Sequence, residues 1–249
     1  MKMKIITVDQ NNLDKEHICC AISNNNDVQV KSKKAWLLEQ FDHGLVFKKM
    51  DARGKCFIEY MPLEQAWVPV SGDEMMYINC LWVSGKFQGQ GYAKALLEEC
   101  IQSCKDQGKK GIVILSAKKK MPFIMEQQFL CKHGFISVAP LDKYELMYLA
   151  LDQDAAKPQF MINEIACDDD GFVLYYSHQC PFTAKYVPMI EQYCLEQNIP
   201  FKAILLKSAK EAKQIKTIFS TYSLFYQHNF ITREILSVKK FAKIAEELQ

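Results

Sequence analysis

The sequence predicts an α/β (α+β) protein of two domains, a mixed sheet with flanking helices followed by a smaller α/β domain. Strand-like and helix-like segments alternate over residues 1–150. A polar stretch with one proline and no periodicity fills residues 151–159. Residues 160–249 hold a second run of elements in the order β-α-β-α-β-β-α. We therefore expect a first domain over 1–150, a linker over 151–159 and a second domain over 160–249.

The composition is that of an ordinary globular protein. The 249 residues are 49% hydrophobic and 24% charged, which argues against disorder. The net charge of +2 indicates neither nucleic-acid nor membrane binding. Near the N-terminus there is no apolar stretch long enough for a signal peptide, and no apolar run approaches the length of a membrane span. We expect a cytoplasmic protein.

Ten cysteines are the unusual feature of the composition. In the cytoplasm most of these thiols stay reduced, so a disulfide framework is not expected. The sequence has no Cys-x-x-Cys pair and only five scattered histidines, so we expect no metal site. Most of the cysteines are therefore predicted to be small buried apolar residues.

The first domain begins with short elements and continues with a longer strand–loop–helix–strand unit. Apolar or alternating runs, several of them bounded by glycines, predict strands at 4–8, 45–49, 56–61, 66–70, 75–83, 111–115 and 144–149. Helices are predicted at 13–22 and 35–41, and a longer one follows Gly91. Its apolar residues recur every three or four positions and include Cys100 and Cys104, so this face is expected to pack on the sheet.

The loop between strand 75–83 and the long helix carries the chemistry. The first turn of a helix has unpartnered N–H groups and partial positive charge, and Gly89 and Gly91 let a phosphate approach the backbone. A Rossmann loop fits poorly. It requires a small residue at the position of Lys94 and an acidic residue at the position of Ser116. A Walker A loop is excluded because no Gly-Lys-Ser/Thr follows.

The pattern that fits is Gln/Arg-x-x-Gly-x-Gly/Ala, met by residues 88–93. It resembles the coenzyme-A loop of the GNAT superfamily of N-acetyltransferases, and Gly134-Phe135 followed by strand 144–149 is similar to the end of that fold. The resemblance implies transfer of an acetyl group from acetyl-CoA to an amine of unknown identity, a small molecule or a peptide, by direct attack on the thioester. The cofactor-binding residues that it implies are Leu81, Val83, Gln88, Gly89, Gln90, Gly91, Tyr92, Ala93 and Lys94.

An attacking amine must lose a proton, and Glu59 and Glu64 on the neighbouring strand segment are the candidate catalytic bases. The family often has a tyrosine four residues before the Gly-Phe pair, where this sequence has Leu130. The resemblance implies a last helix before Gly134, and Phe123 and Glu126 stand in its earlier part, where small or polar residues are common. Tyr92, Tyr144 or water are the remaining proton donors for the leaving thiolate. The lysine runs 109–110 and 118–120 are solvated ends of elements or contacts to the cofactor's 3′-phosphate.

In the second domain we predict strands at 172–176, 201–206, 223–226 and 230–233, and helices from 183 to about 196, at 209–216 and at 238–248. This order is that of a thioredoxin-like fold. Cys180-Pro-Phe-Thr183 is similar to a Cys-x-x-Cys motif whose second cysteine is Thr183, and Pro188 follows at the family's spacing. Cys180, expected at a helix start, is the candidate redox residue. Cys194 is about 21 Å further along that helix, too far to pair with it.

An acetyltransferase-like half joined to a degenerate thioredoxin-like half resembles the YoaP-like acetyltransferases of bacteria. The leading hypothesis is a cytoplasmic N-acetyltransferase whose second domain shapes the acceptor site or recruits a partner. The alternatives are a CoA-binding sensor with weakened catalysis, motivated by Leu130, and a monothiol redox protein acting through Cys180.

Overall fold

The computed structural model describes residues 4–18, 20 and 24–248. These residues divide into two compact units. The first comprises residues 4–18, 20, 38–66 and 70–163, and the second comprises residues 24–37, 67–69 and 164–248. The division into domains at residues 151–159 stays a prediction.

The first part of the chain contains ten strands and three helices within the described residues. In order they are β1 (Ile5–Val8), α1 (Val28–Phe41), β2 (Val46–Met50), β3 (Cys56–Pro62), β4 (Val70–Ser71), β5 (Met75–Val83), α2 (Tyr92–Asp106), β6 (Gly111–Ala117), β7 (Met125–Glu126), α3 (Gln127–Cys131), β8 (Ile136–Leu141), β9 (Tyr144–Ala150) and β10 (Gln159–Phe160).

The first unit is built on one mixed sheet. Its strand order is β1-β2-β3-β5-β6-β9-β8, and the short β7 pairs with β6. The β5–β6 and β6–β7 pairings are parallel, whereas the other pairings in this sheet are antiparallel. β4 and β10 form a separate antiparallel pair. The predicted α/β class with a mixed sheet and flanking helices is confirmed.

Helix α2 covers one face of this sheet. Leu96, Leu97, Cys100 and Cys104 are fully buried and pack in one cluster with Ile58 and Leu81 of the strands. The prediction that both cysteines are packing residues is therefore confirmed. Burial raises the pKa of the Cys100 thiol well above its ordinary value, so this sulfur stays protonated.

Two predictions near the N-terminus are wrong in their details. The described part of the predicted helix 13–22 is a set of turns, and residues 19, 21 and 22 lie outside the described residues. The reason is local competition, because the Asn12 side chain accepts from the Asp9 N–H and donates to the Thr7 carbonyl, and the Asp9 side chain accepts from the Asn11 N–H. The next helix begins at Val28 rather than at residue 35.

Four further elements differ from the prediction. Of the predicted strand 66–70 only Val70 lies in a strand, the two-residue β4, which follows a 3₁₀ turn at Leu63–Gln65. The helix expected before Gly134 has only the five residues of α3, so Phe123 and Glu126 lie outside it. β7 and β8 were not predicted.

The second unit contains four strands and three helices in its C-terminal segment. They are β11 (Phe172–Tyr176), α4 (Thr183–Gln197), β12 (Phe201–Leu205), α5 (Ala209–Gln214), β13 (Tyr222–Tyr226), β14 (Asn229–Thr232) and α6 (Val238–Leu248). The predicted order β-α-β-α-β-β-α is confirmed. The sheet order is β12-β11-β13-β14, with β12 parallel and β13 antiparallel to β11. Its core includes Phe172, Leu174, Ile190 and Phe241, all buried.

No helix formed by the described residues has both the length and the apolarity needed to cross a bilayer.

Candidate active site

A gap opens inside the sheet of the first unit, between β5 and β6. These two parallel strands pair only at Met75–Gly111, Met76–Ile112 and Tyr77–Val113. Beyond these pairs, residues 78–83 of β5 and 114–117 of β6 separate. The other edge of β6 pairs with β9 along its whole length, so β7, which pairs at Ser116 and Ala117, lies on the gap side. We call the space between residues 78–83 and β6 with β7 the slot.

The phase of the β3–β5 pairing decides which main-chain groups of β5 face the slot. The Ser84 N–H donates to the Lys55 carbonyl at 2.9 Å, just beyond the ends of the two strands. Residue pairs along antiparallel strands alternate between hydrogen-bonded and non-hydrogen-bonded. The main-chain N–H and C=O groups of Trp82 therefore point toward β3, whereas those of Leu81 and Val83 point toward the slot. Leu81 and Val83, both predicted to bind the cofactor, thus present main-chain groups to one open edge, where the Val83 carbonyl also accepts from the Gln88 side-chain amide.

A β-bulge lies midway along the slot. Glu59 pairs with Cys80 and Tyr60 with Ile78, so Asn79 is the extra residue in β5. The Asn79 Nδ2 donates to Glu59 Oε1 at 3.2 Å and lies 3.4 Å from the sulfur of Met61. Bulges reorient side chains and are common beside active sites. Here the bulge fixes a carboxylate next to the strand that borders the slot.

The glycine loop follows the open end of β5. A 3₁₀ turn at Gly85–Phe87 leads to Gly89 and Gly91, whose φ angles of 73° and 79° are left-handed. No described atom lies within 4 Å of the position that a Cβ would take on either glycine. The side-chain amide of Gln88 donates to the Val83 carbonyl at 3.3 Å, and the side-chain amide of Gln90 donates to the Lys86 carbonyl. Both side chains therefore fold back on the loop and leave its glycines open.

The loop ends at the N-terminus of α2, a helix of 15 residues. Gly91 is the N-cap and provides no side-chain cap, and the Ala95 N–H donates to the Gly91 carbonyl at 3.0 Å. The amides of Tyr92, Ala93 and Lys94 precede that first helical bond and have no intrahelical acceptor. With the helix dipole, they form a site suited to an anion. The exposed Lys94 forms an ion pair with Glu98 at 3.6 Å.

The two candidate bases have different environments. Glu59 is buried, with 2% of its surface exposed, and lies beside the bulge. Glu64 is exposed in the 3₁₀ turn, where its Oε1 accepts the Glu74 N–H at 2.8 Å. Glu74 precedes β5, at the end of the strand opposite the loop. The structure therefore places Glu59, and not Glu64, beside the slot.

The remaining positions considered for proton transfer or phosphate contact are mostly buried or held in ion pairs. Leu130 is fully buried in α3, and Tyr144 is buried on β9, whereas Tyr92 is half-buried at the start of α2. Lys110 pairs with Glu74, which raises the pKa of Lys110 and lowers that of Glu74. Lys118 lies 3.8 Å from Glu145, and Lys120 lies 2.6 Å from Glu126. Three of the five lysines in the runs 109–110 and 118–120 are therefore held in ion pairs.

Sequence reasoning missed an aromatic contact at the slot. Trp82 of β5 packs against Phe123, with ring centroids 5.5 Å apart and planes 30° from parallel. Phe123 lies just before β7, and 66% of its surface is exposed. Its φ angle of 57° is rare for a residue with a large side chain. The available signal was an apolar Met-Pro-Phe segment directly after three lysines.

The candidate redox residue of the second unit lies in a turn. α4 begins at Thr183, so Cys180 precedes the helix by three residues and is not in its first turn, contrary to the prediction. The Thr183 hydroxyl donates to the carbonyls of Ser177 and Cys180, both at 2.8 Å. Burial lowers the pKa of His178, and it raises the pKa of Cys194 to about 11. Thr183 therefore holds the turn, and Cys194 is a protonated core residue.

Within residues 4–18, 20 and 24–248, no group of three or more His, Cys, Asp or Glu side chains is arranged to hold a metal ion.

Sequence comparison gives matches over both parts of the chain. Residues 11–126 match the acetyltransferase (GNAT) family, and residues 200–243 match the family described as YoaP-like. A Bacillus subtilis protein named as an uncharacterized N-acetyltransferase, YoaP, is 36% identical over 252 residues. That match covers 99% of this chain and 100% of the relative.

Solved acetyltransferase structures are also similar to this chain. The PaiA N-acetyltransferase of Thermoplasma acidophilum, crystallised with coenzyme A, is 15% identical, with a TM-score of 0.43, over 60% of this chain and 99% of its own. A GNAT-family acetyltransferase of Staphylococcus aureus is 19% identical, with a TM-score of 0.41, over 61% of this chain and 100% of its own.

Proposed function

The chain belongs to the acetyltransferase (GNAT) family, within its YoaP-like group, and from this premise we propose that it transfers the acetyl group of acetyl-CoA to a primary amine. The observation that carries the proposal is the slot with a left-handed glycine loop at its open end. A long acyl-thioester cofactor needs a groove for its arm and an anion site for its pyrophosphate. Both lie here on consecutive residues of one strand–loop–helix unit.

We assign the cofactor's arm to the slot and its pyrophosphate to the loop. The main-chain groups of Leu81 and Val83 face the slot and can pair with the amides of the arm as a neighbouring strand would. The amides from Gln88 to Lys94 then surround the pyrophosphate, where the open sides of Gly89 and Gly91 allow close approach. This arrangement directs the thioester toward the bulge at Asn79.

At the bulge, Glu59 is the proposed base. An amine arrives as an ammonium ion and must transfer a proton before its nitrogen attacks the thioester carbon. With 2% of its surface exposed, Glu59 accepts that proton through one water molecule. The new C–N bond forms as the C–S bond breaks, the attacking nitrogen releases its second proton to water, and the coenzyme A thiolate leaves and takes a proton from water. Asn79 holds the carboxylate in place through its 3.2 Å hydrogen bond.

Glu59→Gln tests this assignment, because glutamine keeps the oxygen that accepts from Asn79 but cannot take a proton. We expect kcat for acetyl transfer to fall by about 10²- to 10⁴-fold, with the affinity for acetyl-CoA measured by calorimetry unchanged. Glu64→Gln is the matched control and should retain its kcat, because that carboxylate holds the Glu74 N–H away from the slot. Equal losses in both variants would contradict the assignment. Absence of acetyl-CoA binding to the unmodified protein would overturn the proposed function.

For the second unit we infer a thioredoxin-like module without a dithiol centre. The sheet order β12-β11-β13-β14, with one parallel and two antiparallel pairings, supports the fold. A disulfide cycle is not supported, because Thr183 replaces the second cysteine and its hydroxyl is engaged by two carbonyls. Cys180 remains the proposed reactive thiol of this module. We further place the protein in the bacterial cytoplasm, where acetyl-CoA is available and where cell fractionation should recover it; the Bacillus relative supports a bacterial source.

A further inference from the structure

The two faces of the sheet at the slot are not equivalent. Ile58 and Leu81 belong to the core under α2, so that face is filled by packed side chains. Successive side chains of a strand alternate between faces, so Glu59 and Trp82 stand on the opposite face. Trp82 and Cys80 are only half-buried there. An acceptor that reaches a thioester in the slot must approach from this second face, which we call the acceptor face.

The acceptor face combines aromatic rings with two carboxylates at the slot, Glu59 and, on β7, Glu126, whose charge is committed to Lys120 at 2.6 Å. Glu59 pairs with Cys80, and Trp82 is its diagonal neighbour, about 7–8 Å away between Cα atoms. Phe123, on the other side of the slot, adds a second ring, which packs against Trp82 at a tilt of 30°. The charge of Lys49, whose strand position also faces this side, is committed to Glu16 at 2.9 Å. The surface thus favours a cation that carries hydrocarbon.

We propose that Trp82 and Phe123 form the acceptor subsite and that the acceptor is a primary amine on an extended hydrocarbon chain. The inference rests on the proposed function and specifies its substrate class. The ammonium group lies toward Glu59, and the adjoining methylene groups lie against the two rings. Ring faces attract cations and bury methylene groups, so both parts of such a ligand are favoured. The two residues determine specificity, while proton transfer stays with Glu59.

Phe123 is suited to a test because its ring can be removed with little harm to folding. Its side chain is 66% exposed, and its left-handed φ of 57° is one that glycine adopts freely. Phe123→Gly therefore removes the ring and also removes the backbone strain of a left-handed φ at a residue with a large side chain. Ile136→Ala is the matched control, because Ile136 is 49% exposed on β8, at the edge of the same sheet.

The experiment measures release of the coenzyme A thiol with hexylamine and with ethylamine as acceptors. The unmodified protein should have a KM for hexylamine roughly tenfold or more below that for ethylamine. Phe123→Gly should raise the hexylamine KM roughly tenfold, with kcat and the ethylamine KM little changed, and Trp82→Leu should act in the same direction. Ile136→Ala should change none of these values.

Two results would overturn the inference in distinguishable ways. If both amines are acetylated with equal KM, or if Phe123→Gly leaves the preference intact, the aromatic subsite is wrong and the acetyltransferase proposal stands. If neither amine is acetylated although acetyl-CoA binds, the inference fails, whereas absence of acetyl-CoA binding would overturn the proposed function as well. Circular dichroism and calorimetry with acetyl-CoA confirm that each variant is folded and loaded.

Discussion

The two ends of helix α2 allow a sharp test of the glycine loop. Gly91 is its N-cap at φ 79°, and Gly108 follows its C-terminal end at φ 65°. No described atom lies within 4 Å of a Cβ built on either residue. Alanine at each position therefore causes no clash within the protein and costs only the left-handed backbone, about 1 kcal/mol. The two variants should lose the same stability, measured as the free energy of unfolding in urea.

Affinity for acetyl-CoA should separate the two variants. The open space beside Gly91 is where the pyrophosphate is proposed to approach the amides of Tyr92, Ala93 and Lys94, so a methyl group there meets only the ligand. Displacing the phosphate from one charged hydrogen bond costs about 1.5 kcal/mol, or roughly tenfold in Kd. Gly108 lies beyond the other end of the 15-residue helix, which is about 22 Å long, and its alanine variant should keep its Kd.

Isothermal titration calorimetry with acetyl-CoA at constant ionic strength measures this difference. A tenfold weaker Kd for Gly91→Ala alone is the expected result. Equal Kd values in the two variants, whether both weakened or both unchanged, would refute the placement of the pyrophosphate at this loop. A stability loss well above about 1 kcal/mol in either variant would refute the structural account of the open glycine.

Two further predictions concern the cysteines. Burial raises the pKa of Cys56 and Cys194 from 9.0 to about 11, so the folded state holds these protons more tightly than the unfolded state does. The free energy of unfolding should fall as pH rises from about 9 to about 11, and Cys194→Ala should reduce this slope, whereas Cys131→Ala, at an exposed site, should not. Cys180, which is half-buried in a turn, should be alkylated faster at pH 7 than the buried Cys194; a rate equal to or below that of Cys194 would remove the case for a reactive thiol.

The parts of the fold that were predicted correctly depend on local sequence. Residues 75–83 are an apolar run followed at once by glycines and an amphipathic helix, and the structure has β5, the loop and α2 there. The acetyltransferase family inferred from residues 88–93 is confirmed by the family match. In the second unit, β11 and α6 have the predicted bounds because their apolar spacing is undisturbed by competing side-chain hydrogen bonds.

The parts that were missed depend on pairing at long range or on turn chemistry. The first half of α1, Val-Gln-Val-Lys-Ser-Lys-Lys, has no clear apolar stripe, so its helix could not be read from periodicity. Residues 9–16 contain asparagine and aspartate side chains that bond to nearby main-chain groups and favour turns. Nothing local marks Asn79 as a bulge residue, because its position depends on the register against β3. For the same reason the choice of Glu59 over Glu64 needed the structure.

The brief pairing of β5 with β6 has a mechanical consequence. β3 joins β5 through pairs at seven of its residues, and β9 joins β6 through seven, whereas β5 and β6 share three. The sheet therefore consists of two well-paired halves joined by a short hinge, the three β5–β6 pairs. A small rotation about the pairs at residues 75–77 widens or narrows the open end of the slot. An extended ligand bonded to both halves would restrict this motion.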